Sequence, residues 1–74
     1  MAIEIIRYHR LSDGSIDVVE DVTVPKTHRK RAAKAYCRLI DDHRRSGLFG
    51  GVAVQVDGTP VTPFVDERGR LDYF

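Results

Sequence analysis

Two pairs of adjacent carboxylates, Asp41-Asp42 and Asp66-Glu67, are the first residues here whose types could do acid–base or metal chemistry. Their surroundings point elsewhere. Asp42 follows Arg38 by four residues and Asp41 precedes Arg45 by four, the spacing of solvated helix-face ion pairs worth a few tenths of a kcal/mol. Asp66-Glu67 falls in an expected turn. Cys37 with His43 would make a nucleophile and a base, but on a helix the two stand about 120° apart and do not face each other. His9 and His43 are both expected on the core side, where a buried, hydrogen-bonded histidine is the ordinary outcome. With no third ligand and no CxxC or HxxxH spacing they do not make a metal site. The glycines at Gly47, Gly50 and Gly51 follow a helix and so meet its free carbonyls, whereas a phosphate loop precedes a helix and uses its free N–H groups. No Walker or dinucleotide motif occurs. The expectation is a non-enzymatic chain with no catalytic residue, no metal and no cofactor.

Charge is the more informative signal. The chain is +1 overall, yet residues 26–45 hold eight Lys/Arg against two Asp, and the remainder holds four against nine acids. Lys26, His28, Arg29, Lys30 and Arg31 crowd the start of an expected helix, where the macrodipole opposes each nearby cation by about 0.3–1 kcal/mol. A local rule broken without visible compensation marks a candidate site. Lys26, Arg29, Lys30, Arg31, Lys34 and Arg38 therefore form a candidate surface for nucleic acid or another polyanion.

The elements that must carry these residues are legible from turns and periodicity. Asp13-Gly14 and Asp57-Gly58 each separate runs rich in β-branched residues, a strong hairpin signal. A two-residue turn at Asp13-Gly14 sets Arg10 against Asp17, Tyr8 against Val19, Arg7 against Glu20, Ile5 against Val22 and Ile3 against Val24. Leu11, Ile16, His9 and Val18 then face the core, and Ile6, Tyr8 and Val19 face away. The second turn sets Val56 against Thr59, Gln55 against Pro60 and Val54 against Val61. Pro60 and Pro63 make the strand from Thr59 an edge.

Pro25 reads as the first helical residue and Gly47 as the C-cap, with Leu48 placed for the apolar contact of a Schellman motif. Ala32, Ala33, Ala35, Tyr36, Leu39, Ile40 and His43 share one helical arc, and the charged residues share the other. One domain over 1–74 follows: a hairpin over about 3–24, a helix over about 25–46 and a hairpin over about 50–63. Residues 65–74 read either as a short fifth strand around Arg68-Gly69 or as a tail. The fold class is α+β, a two-layer sandwich of order ββαββ with one helix on one face of an antiparallel sheet.

A chain of 74 residues buries only about 60% of its unfolded surface, so stability should be modest and oligomerisation would add to it. One cysteine asks for no oxidising compartment, and Met1 to Ile6 is too short and too interrupted by charge for a signal peptide or membrane span. A cytoplasmic protein is expected. The sheet face opposite the helix should be open and carry Ile6, Tyr8 and Val19, joined by Ala53 and Phe64 from the second hairpin. A contiguous apolar cluster on a small chain suggests protein binding, self-association included. The functional expectation is a small binding or regulatory module acting through this face, with polyanion binding by the helix as the alternative.

Overall fold

The computed structural model describes residues 1–74. Its elements are β1 (Ala2–Arg10), β2 (Ile16–Pro25), α1 (Arg29–Ser46), β3 (Gly50–Val56), β4 (Thr59–Val61), β5 (Pro63–Val65) and β6 (Leu71–Tyr73). The first four strands form one antiparallel sheet in the order β2-β1-β3-β4, and β5 pairs with β6 in a separate two-stranded sheet. A single helix packs on one face, the α+β two-layer arrangement that the pattern of hairpins and amphipathic helix implies. That helix is not long and apolar enough to cross a membrane.

Alternation builds the core. Ile3 and Ile5 of β1, Val24 of β2 and Val54 and Val56 of β3 point to the helix, which contributes Ala32, Ala33 and Leu39. The two alanines let the helix lie close to the sheet. Leu71 of β6 completes the cluster at 0% exposure, so residues 65–74 are not a loose tail. They turn back at Gly69 to pair with β5 and lean on the helix side.

The second hairpin has the expected register, with Asp57 (φ 52°) and Gly58 (φ 81°) both in the positive-φ conformation of a type I′ turn. The first hairpin departs from expectation near its turn. Leu11 N–H bonds Ser15 O (2.9 Å) and Gly14 N–H bonds Leu11 O (3.0 Å), a three-residue loop in place of a two-residue one. Asp13 Oδ1 holds it by accepting from the Ser15 N–H at 2.9 Å. The extra residue is absorbed by a bulge: pairs from Ile3–Val24 to Arg7–Glu20 stand as expected, after which Tyr8 meets Val18, His9 meets Asp17 and Arg10 meets Ile16. Two residues, Val18 and Val19, thus oppose the single Tyr8. Arg10 is not across from Asp17. Val18 and Ile16 are not core residues either, being 56% and 57% exposed.

The helix begins at Arg29, four residues later than expected. Val24, buried in the core, keeps the chain extended through Pro25, whose carbonyl then accepts from the His28 N–H (2.9 Å) to close a turn. Gly47 caps the other end in the left-handed region (φ 66°). Leu48 makes no Schellman contact, because its N–H is taken by Ser46 Oγ (3.3 Å) and its side chain stays exposed.

Candidate functional site

Two surfaces carry the residues singled out by sequence. The first is the sheet face away from the helix. Ile3, Ile5, Arg7 and His9 point to the helix, and the His9 ring lies 6.1 Å from that of His43 on α1. Glu4, Ile6, Tyr8 and Arg10 therefore point the other way. Beside them on β2 stand Thr23, Asp21, Val18 with the bulged Val19, and Ile16; on β3 stand Gln55, Ala53 and Gly51. The Tyr8 ring lies across the strand over Gly51, where an added Cβ would sit 3.2 Å from the tyrosine hydroxyl. Ile6, Tyr8, Val18, Val19 and Ala53 form one apolar patch at the middle of the face.

Phe64 does not join this patch. It sits in β5, packed against Phe74 with ring centroids 5.8 Å apart and the rings tilted by 45°. Sequence reasoning missed Val18 and Ile16 as surface residues, and it missed Phe49, whose carbonyl accepts from the Arg10 N–H (2.9 Å) beside the patch. The available signal was the doublet Val18-Val19, which breaks an otherwise alternating strand where the bulge occurs.

Polar groups frame the patch. The Glu4 carboxyl is held above its ordinary range by a hydrogen bond with Asp21, by partial desolvation and by that residue's charge. No cation pairs with either acid, and Arg10 has no carboxylate within ion-pair distance.

The second surface is the basic segment, and the structure divides it. Lys26 lies in the turn before the helix with Nζ 2.9 Å from Asp57 Oδ2. Arg29 meets Asp72 (3.3 Å) and lies over the Tyr73 ring. Arg38 meets Glu20 (2.7 Å) and Asp42 (3.4 Å). The compensation invisible in sequence is supplied for these three by acids from other elements. Lys30, Arg31 and Lys34 have no such partner and are exposed. At the helix start a crevice of about 390 Å³ is lined by Thr27, His28, Arg29, Lys30, Arg31 and Arg70, none of them acidic or apolar. The first turn holds no acid and no side chain caps it, which leaves its N–H groups free toward that crevice.

Elsewhere, Arg7 Nη2 donates to His9 Nε2 (3.2 Å), while Arg7 Nε and His43 Nδ1 are buried without partners. No three His, Cys, Asp or Glu side chains converge as metal ligands, and Cys37 is exposed on the helix. No family model, curated protein or solved structure matches this chain.

Proposed function

We propose that this chain is a small non-enzymatic binding or regulatory module that acts through protein–protein contacts on the open face of its four-stranded sheet. The observation that carries the reading is the contiguous patch of Ile6, Tyr8, Val18, Val19 and Ala53, on which no other element packs. A chain with only nine buried residues, two of them alanine, has little apolar surface to spare. Ile6 and Tyr8 are half-buried and Val18 is 56% exposed, so the face forgoes about 25 cal/mol for each Å² it still leaves in water, which a partner would recover. The single exposed thiol fits a reducing cytoplasm.

Tyr8→Glu tests this. Its side chain lies outside the core, so circular dichroism and melting should stay near wild type while association is lost, because binding would bury an unpaired charge. Val24→Glu, 1% exposed in the wild type, should unfold the domain. Retention by Tyr8→Glu of every association the wild type makes, measured by light scattering and pull-down, removes the reading.

The crevice at the helix start favours a second reading, polyanion binding through Lys30, Arg31 and Lys34. Three phosphate contacts on duplex DNA would give a log–log salt slope of about −3. Absence of binding at low salt eliminates it.

A further inference from the structure

On the open face β1 reads Glu4, Ile6, Tyr8, Arg10: acid, aliphatic, aromatic, cation, in even steps about a centre at the level of Arg7. The sequence of chemistries is complementary to its own reversal. A two-fold axis lying between two such faces and running across the strands would set β1 antiparallel to its copy. Glu4 then stands over the partner's Arg10, and Ile6 over the partner's Tyr8. Both charges are unpaired within one chain. Asp21, one strand over and diagonal to Glu4, brings a second carboxylate within an arginine's reach of the same point.

We infer that the open face binds a second copy of this chain, forming a two-fold dimer in which the β1 strands cross the interface antiparallel and Glu4 pairs with the partner's Arg10. The inference rests on the open-face reading above and adds its occupant. Small residues on β3, Ala53 and Gly51, let the sheets approach, with the Tyr8 ring filling the space over Gly51. The geometry is that of aligned sheet packing, and because the contact is isologous it closes at two copies. Four strands at about 4.8 Å and seven residues at about 3.4 Å make a face of roughly 450 Å² per protomer. The total of roughly 900 Å² lies just under the ~1,000 Å² expected of stable interfaces, which makes the dimer reversible and concentration-dependent.

The test is charge exchange, read as molar mass by light scattering from about 10 µM to about 1 mM, with Tyr8→Glu as the patch control. Wild type should dimerise within this range, and Glu4→Arg and Arg10→Glu should each stay monomeric, since each puts like charges at both ends of the contact. Mixing the two variants should restore a dimer, one copy of each, as should the double exchange in one chain. That rescue also shows that the single variants are folded. A wild type that stays monomeric throughout overturns the second copy as occupant but leaves the face open to another protein. A dimer that survives both single exchanges overturns the register. A dimer that survives Tyr8→Glu overturns the open-face reading itself.

Discussion

Arg38 Nη2 lies 2.7 Å from Glu20 Oε2, so the carboxylate that stands across the strand pair from Arg7 is bonded by the helix instead. This contact ties layer to layer. The guanidinium holds the Glu20 carboxyl below its ordinary range. Lys26 does the same for Asp57, helped by the Ala2 N–H, and the backbone and side chain of Arg70 do so for Asp66.

These depressed groups set the acid response. Each contributes stability above its unfolded value near 3.8–4.5 and loses it as pH falls through the lower folded value. We predict melting temperatures that decline below about pH 4–5, and a shallower decline for Arg38→Ala, in which Glu20 is freed. Glu4 runs the other way, because its raised value means stability present at low pH and lost as pH rises through it. At concentrations where the chain is monomeric, Glu4→Gln should therefore melt higher than wild type at pH 7 and equally at pH 3. Thermal melts from pH 2 to 7 decide both points.

Gly50 is the glycine the fold can least replace. Its φ of 137° is unfavourable for an L residue, and a Cβ there would collide with the Tyr8 carbonyl oxygen, which is backbone and cannot swing aside. At Gly47 (φ 66°) a Cβ meets nothing within 4 Å. Gly47→Ala should cost about 1 kcal/mol and Gly50→Ala at least 2–3 kcal/mol in urea melts. Equal costs would contradict the close approach of β3 to β1.

Leu71 anchors the C-terminal hairpin in the common core. We predict that Leu71→Ala costs about 2–5 kcal/mol, comparable to the whole stability expected of a domain this small, while the exposed Phe74→Ala costs under about 1 kcal/mol. Chemical denaturation of the two variants would show whether residues 63–73 fold with the sheet or apart from it.

Most of the fold could be read from local signals, and the gaps lie where one local signal fits two structures or a distant contact decides. Alternation fixed Ile3, Ile5 and Val24 as core, and Asp57-Gly58 fixed the second register to the residue. Asp13-Gly14 misled because the same dipeptide serves two-residue and three-residue loops. The choice depended on whether a bulge at Val18-Val19 could absorb the extra residue. Pro25 is as compatible with the end of a strand as with the start of a helix, and only the burial of Val24 decides. The basic segment looked uncompensated because Asp57, Asp72 and Glu20 are distant in sequence from Lys26, Arg29 and Arg38. Pairings of that range leave no periodic trace.

The bulge has a further consequence for how copies of this chain can meet. β2 is the long rim of the sheet, and its outward N–H and C=O groups would template another strand if they ran in register. At Val18 and Val19 that row is broken and the strand bent, and Asp17, Glu20 and Asp21 line it with charge of one sign. The opposite rim, β4, is three residues long with Pro60 at its middle. Both rims are thus poor seeds for fibrillar growth, because a stack of hydrogen-bonded strands cannot propagate from either.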